Sequence, residues 1–369
     1  MDMEKEFYYS KDGTKVMVVA PMEKLESIID RMDRFKYQYD HMLIIGNGFD
    51  LNLGLPTTYR NFIESFTFKR IYEKHLQEKR LQTKPQPSLL DFLYGKKFIE
   101  KWYDIESALL EYVSKRPDGS FVNNIQEDKK DYYTLCNCLI AYLLELFQKD
   151  SISAKQANLM SESAAGKILR ILKSDRNIVY SFNYTPIQII TRIATFIEKE
   201  NTRAEIVRQH DAIKEESFIK GKAKNENIIL GIETSDISRI APGYSFLMKS
   251  NNPKYKSTTI AYDLLNTRNV IFFGHSLNQM DFGYFKEYFE LLASNTDKGR
   301  ILTLVTKDKD SRIELLDNLR KAGISVRDIY THITVETILT DELNKTNSES
   351  RNNFDNLLRR IDEEYYRNH

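Results

Sequence analysis

Only two cysteines occur in the 369 residues, Cys136 and Cys138. They stand one residue apart on a segment that reads as a helix, so their side chains point away from each other. That spacing excludes a redox pair and half of a zinc site, and buried free thiols are expected. No His/Cys/Asp cluster has metal-ligand spacing, and no metal is expected. A surplus of positive charge is also lacking. Lys plus Arg number 54 against 53 Asp plus Glu, a net charge of +1. This gives no global attraction for nucleic acid, leaving at most a local basic groove. No apolar run is long enough to span a bilayer, and Met1-Asp2-Met3-Glu4-Lys5-Glu6 lacks the basic-then-apolar pattern of a signal peptide. A cytosolic protein with no membrane partner is expected. Internal repeats and low-complexity segments are absent.

Hydrophobic residues make up 41% and charged residues 29%, which is ordinary for a soluble globular protein. The length suits two domains, or one α/β domain with a large insertion. The most informative stretch is Leu43-Ile44-Ile45-Gly46-Asn47-Gly48-Phe49-Asp50, followed by Gly54-Leu55-Pro56-Thr57-Thr58. An apolar strand breaks there into a glycine turn, the place where parallel α/β sheets bind phosphates. As a motif Gly46-x-Gly48 is weak, because position 51 is leucine instead of the third fingerprint glycine and no P-loop Lys-Ser/Thr follows. Two further apolar strands also end in polar tips. Asn177 to Phe182 ends in Asn183-Tyr184-Thr185-Pro186, and Asn269 to Phe273 ends in Gly274-His275-Ser276 with Asp281 beyond. Ligands of open α/β sheets bind outside the carboxyl ends of strands, so Gly46 to Gly48, Asn183 and Gly274 to Ser276 are expected to line one crevice.

The organisation around these strands implies four parts. Residues 1–40 read as an N-terminal hairpin, turning at Asp12-Gly13, and an amphipathic helix from Met22 to Asp40. Residues 41–57 and 174–340 form a Rossmann-like core, an α/β fold with a mostly parallel sheet. It takes strands at Leu43, Asn177, Ala204, Asn227, Asn269, Ile301 and Ile333, with helices between several of them. Residues 58–173 are almost wholly helical in pattern, too much for one crossover, and read as an inserted helical subdomain. Residues 341–369 read as a terminal surface helix with a stripe of Phe354, Leu357, Leu358 and Ile361. The N-terminal part fits an oligomer contact or an edge extension, so a homo-oligomer stays open.

The succession GNGFDLNLGLPTTYRNF, WYDIE at Trp102 to Glu106, SFNYT, IILGI at Ile228 to Ile232 and GHSLNQMDFGYF resembles the AbiH family of bacterial phage-abortive-infection proteins, over Leu43 to Phe285. More distantly, the glycine turn, the Asn-Tyr tip and the Gly-x-Ser tip followed by Asp are similar to SIR2-like domains, which bind NAD and in several defence systems hydrolyse it. The resemblance implies a pocket for NAD or a related nucleotide at Gly46, Asn47, Gly48, Phe49, Asp50, Thr57, Gly274, His275, Ser276 and Asp281. It also carries onto Asn183 the role of orienting a water or a ribose hydroxyl.

Each of these residues has a structural reading beside it. Asp50 suits a helix cap as well as a ribose contact, Asn183 an Asx turn, and Asp281 a cap for the helix from Phe282. For the base that glycosidic cleavage needs, the histidines narrow to His210 and His275. His210 falls where the resembling families place a His-Gly pair, although Asp211 replaces the glycine. Asp104 and Glu106 lie two apart on a helix and share no face, so they form no acid–base pair; Glu106 alone could reach the crevice, and Trp102 is core. The leading expectation is an abortive-infection protein that binds NAD, with hydrolysis as its chemistry. The rival is a non-enzymatic sensor in which a nucleotide controls an interaction surface and a phage-derived trigger acts. A nuclease or RNA-binding effector lacks a basic stripe or a carboxylate cluster.

Overall fold

The computed structural model describes residues 3–9, 15–21, 37–80, 87–96, 105–147, 152–195, 204–209, 228–234, 236–253, 255 and 259–367. Strands β1 (Met3–Tyr9) and β2 (Lys15–Pro21) pair antiparallel, closing at Tyr9 and Lys15. The expected hairpin is therefore present, and its Asp12-Gly13 turn lies outside the described residues. So do positions 22–36 of the expected helix; Tyr39 and Asp40, which were included in it, belong to the next strand.

The main sheet has six strands, all parallel: β3 (Tyr39–Ile45), β4 (Asn177–Ser181), β5 (Glu205–Arg208), β6 (Thr267–Phe273), β7 (Ile301–Thr306) and β8 (Thr334–Leu339). Their spatial order is β5-β4-β3-β6-β7-β8. Counted along the chain this is 3-2-1-4-5-6, the doubly wound order of dinucleotide-binding sheets, in which the direction of winding reverses between the first and fourth strands. Here that switch point is the gap between β3 and β6, whose carboxyl ends carry Gly46 and Gly274.

Alternation along the strands feeds two cores. Met42, Ile44, Tyr180, Val270, Phe272 and Leu304 face a layer that includes Phe289, Leu315 and Ile329 of the later helices. Leu43, Ile45, Val179, Ile271, Phe273 and Val305 face the opposite way. With both faces covered, the strands carry the near-continuous apolar runs that made them readable.

The second face packs on the helices between β3 and β4. These are Asn47–Asn52, Tyr59–Glu64, Phe66–Arg80, Leu89–Lys96, Ile105–Val113, Ile125–Leu146, Ala154–Glu162 and Ala164–Ile171. The helical reading of this segment holds, but two long runs are cut by serines. Ser65 and Ser163 are extended (ψ 155° and 162°), and the Ser163 hydroxyl caps the following helix by accepting from the Gly166 N–H. Leu135, Leu139 and Ile168 share one continuous core with Leu43 and Phe273. Tyr142 donates its O–H to the Pro56 carbonyl and so ties a helix of the insertion to the loop after the glycine turn. Cys136 and Cys138 are free and buried, as expected. Helix Glu349–Arg367 buries Phe354, Leu357 and Ile361 against the same face.

One strand assignment is corrected. Of the stretch Asn227 to Ile232, position 227 lies outside the described residues and 228–232 stay outside the main sheet. Ile232 forms an isolated parallel bridge to Met248, and Tyr132 donates to the Leu230 carbonyl at 2.6 Å. Ile228, Leu230 and Ile232 are buried in the core shared with the inserted helices. A short apolar run reports burial and does not distinguish a sheet from a helical cover.

Candidate functional site

Three strand tips meet at the switch point. Gly46 donates its N–H to the Phe273 carbonyl at 3.1 Å, and Gly48 donates to the Gly274 carbonyl at 3.0 Å. The Asn183 side-chain amide, buried, donates from Nδ2 to the Gly46 carbonyl at 3.0 Å. Asn183 is thus held across the strands. The glycines serve a close approach of two backbones. A Cβ on Gly48 would lie 2.6 Å from the Gly274 Cα, and one on Gly274, whose φ is +61°, would lie 2.4 Å from the Gly48 carbonyl carbon. Both N–H groups of Gly46 and Gly48 are spent inside the protein, so polar contacts to an anionic ligand would fall to neighbouring groups.

Asp50 sits in the short helix after this turn with its side chain buried, 1% exposed. It does not cap that helix, whose N-cap position is Gly46 and which has no side-chain cap. Instead its Oδ2 accepts from the Thr185 hydroxyl at 2.8 Å, while Oδ1 is buried with no hydrogen-bond partner among the described residues. Burial lifts the carboxyl from 3.8 to about 7, against the opposing pull of Thr185, Asn183 and Thr57. Desolvation penalises the charged form, which is the physical cause of the rise.

Beyond β6 the chain turns sharply. Gly274 and Leu277 both have positive φ (61° and 52°), and the His275 Nδ1 between them accepts from the Leu277 N–H at 3.1 Å. That bond leaves the proton on Nε2, which lies 3.9 Å from the Asp281 Oδ2. Burial lowers the His275 pKa from 6.5 to about 4, with Asp281 opposing and Lys249 assisting. His275 is accordingly a neutral imidazole.

Asp281 belongs to a buried ionic group. The Lys249 ammonium, 1% exposed, lies 3.0 Å from the Asp281 Oδ1 and 2.8 Å from the Glu106 Oε2. Burial works against that ammonium, but Asp281 and Glu106 outweigh it and raise its pKa. Tyr184, next to Asn183, donates its O–H to the Glu106 Oε1 at 2.8 Å. The group joins a helix of the insertion, the segment after β5, the tip of β4 and the loop after β6. Asp281 makes no side-chain cap to the turn from Phe282. Lys249 escaped sequence reading; its signal was a single cation closing the apolar run Tyr244-Ser-Phe-Leu-Met.

The remaining expected residues divide between rim and core. Asn47 and Ser276 are exposed, Thr57 is half-buried, and Thr57 donates its hydroxyl to the Asn47 Oδ1 at 2.8 Å. Phe49 is wholly buried and packs edge-on against Phe273 at 5.1 Å, a core contact. Asn52 accepts the Ala165 N–H and docks a helix of the insertion. Trp102, Asp104 and His210 lie outside the described residues.

Two features lie away from the strand tips. A cavity of about 1200 Å³ opens on the insertion, lined among others by Phe92, Tyr112, Lys115, Arg116 and Phe121, with Gln279 and Met280 of the β6 loop in its wall. Beside it is a buried polar cluster. His75 Nδ1 lies 3.4 Å from the Asp131 Oδ1, the ligand-type atoms of His75, Glu127 and Asp131 lie within 4.8 Å of one another, and Lys79 pairs with Asp91. His75 is buried, and its acidic neighbours Asp91 and Asp131 come from two other helices.

A doubly wound parallel sheet with buried polar side chains gathered at its switch point defines a Rossmann-like α/β protein with a large helical insertion. Residues 42–299 match the family described as bacteriophage abortive infection AbiH, and the chain belongs to that family. No curated protein and no solved structure matches the chain. Among the described residues no helix is long and apolar enough to cross a membrane.

Proposed function

We propose that this abortive-infection protein binds NAD, or a nucleotide of that build, at the β3/β6 switch point and hydrolyses the bond between nicotinamide and ribose, halting phage growth by depleting the cofactor. The observation that carries this reading is the convergence of Asn183, Asp50 and the Gly46 and Gly274 turns at the point where sheets of this order bind ligands. Asn47, Thr57 and Ser276 supply the polar rim for phosphates and sugars. Asn183 and Asp50 stand in the wall, where a nucleophile and its proton are handled. The distant likeness of the strand tips to SIR2-like domains points the same way. The test is incubation of the purified protein with NAD, alone and with extract from phage-infected cells, followed by measurement of nicotinamide. Release is expected.

A second reading, a sensor without turnover, is favoured by one observation. The large cavity lies on the insertion, and Gln279 and Met280 in its wall sit next to Asp281 of the buried ionic group. Binding of NAD without release of nicotinamide under either condition would select this reading.

A further inference from the structure

Cleavage of the nicotinamide–ribose bond by water needs a group to take the water's proton, and His275 is badly disposed for it. Its Nδ1 already accepts the Leu277 N–H, and its Nε2 carries the proton. Lys249 is a cation held between two carboxylates. Asp50 differs. Its Oδ2 is fixed by the Thr185 hydroxyl at 2.8 Å, its Oδ1 is buried with no partner in hydrogen-bond geometry among the described residues, and the polar side chains of Asn183 and Thr57 lie close enough to favour its ionised form. A buried carboxylate oxygen left without a donor costs free energy and calls for a physical reason, and a catalytic role is one such reason.

We infer that Asp50 is the general base of this site, its Oδ1 taking the proton from the water that attacks C1′ of the nicotinamide ribose while Asn183 orients that water. The inference rests on the hydrolytic reading above. In the step, the water oxygen forms a bond to C1′ and the C1′–N bond breaks. The electron pair of the broken bond goes to the ring nitrogen, which neutralises the pyridinium and releases nicotinamide. Asp50 receives the water proton and later returns it to solvent, so NAD and water give ADP-ribose, nicotinamide and a proton. Thr185 is a positioning residue that acts through the carboxylate.

The groups packed against Asp50 are Thr185 and Asn183 after β4 and Thr57 before helix Tyr59–Glu64, none of which ionises near neutrality. Burial therefore sets its titration, with a value of about 7, suited to a base working at neutral pH.

The experiment compares the full-length wild type with Asp50→Asn and Thr185→Val, measuring NAD affinity, nicotinamide release from pH 5 to 9 and thermal midpoint. The wild type is expected to lose turnover on the acid side with a midpoint near pH 7. Asp50→Asn should keep NAD binding within a few-fold and lower turnover by a factor of at least ~100. Thr185→Val removes the hydroxyl that favours the carboxylate, so its acid limb should move to higher pH, a change that a purely structural role would not produce. If Asp50→Asn fails to fold, the Thr185→Val profile decides the matter. Folded Asp50→Asn with near wild-type turnover, or an unmoved acid limb in Thr185→Val, overturns the assignment while leaving the hydrolytic reading intact. A wild type that releases no nicotinamide even with infected-cell extract overturns both.

Discussion

The space beside the Gly48 Cα is occupied by Gly274: a Cβ placed on Gly48 would come within 2.6 Å of the Gly274 Cα. The two glycines face each other across the switch point and hold the tips of β3 and β6 together. Gly48 itself has no positive φ, so its need for glycine is the close approach alone.

The first prediction follows from that contact. Gly48→Val and Gly274→Ala each drive a side chain into backbone, where no rotamer change relieves it, and Gly274 is also held at a φ that disfavours alanine. Each variant should lose on the order of 3 kcal/mol or more of stability, at or beyond the upper end for overpacking. Loss of nucleotide binding would then come with loss of folding. Urea denaturation checks this, and a Gly274→Ala variant as stable as the wild type would refute it.

The second prediction concerns Lys249. Replacing it with methionine removes the ammonium between two buried carboxylates and should cost roughly 3–5 kcal/mol, the range for breaking a buried ion pair on one side. Adding Glu106→Gln to Lys249→Met should restore part of the loss, because one buried charge is then gone. A double-mutant cycle on thermal unfolding reads the coupling, and strictly additive losses would count against the contact.

The sheet was legible in the sequence because parallel strands buried on both faces carry apolar runs that end in polar tips, as at Gly46, Asn183 and Gly274. The same signal misled at Ile228 to Ile232, where the run is buried beneath helices and pairs with 247–249 instead of the sheet. Asp50 was visible as a candidate, but its surroundings were not, since capping and burial look alike until Thr185 is seen 2.8 Å away. Glu106, Lys249 and Asp281 come from three distant segments. No local pattern announces such a meeting, and Lys249 was missed for that reason.

The third prediction is a pH dependence with two opposing slopes. The raised pKa of Asp50 means that the folded state favours the protonated acid. Its contribution to stability is full below about pH 4 and is lost as pH rises through about 7. The lowered pKa of His275 works the other way, giving stability that is present above 6.5 and lost as pH falls through about 4. Between these limits the two slopes oppose each other. In Asp50→Asn only the His275 slope remains of the pair. The stability of this variant relative to wild type should therefore grow between pH 4 and 8 by up to roughly 4 kcal/mol, at about 1.4 kcal/mol per unit of pKa shift. Denaturation at a series of pH values tests this, and a difference independent of pH would show that Asp50 is not a buried acid of raised pKa. A variant that is more stable and less active would also fit a residue kept for function at a cost in stability.

The last prediction separates the enzyme from the sensor. Asn183 donates to the Gly46 carbonyl and lies beside Asp50, which leaves its amide oxygen as the acceptor with which it can orient a water. Asn183→Ala should cost about 1–2 kcal/mol of stability, since the Gly46 carbonyl loses a donor. It should leave NAD affinity within a few-fold, because the rim of Asn47, Thr57 and Ser276 is untouched. Turnover should nevertheless fall by a factor of at least ~100, the low end of what a positioned catalytic group contributes. If Asn183→Ala kept full NAD hydrolysis and full phage protection, the catalytic role of Asn183 would be abandoned. A different outcome points to the sensor: a wild type that binds NAD, releases no nicotinamide with infected-cell extract, and loses phage protection when Lys115 and Arg116 in the insertion cavity are replaced.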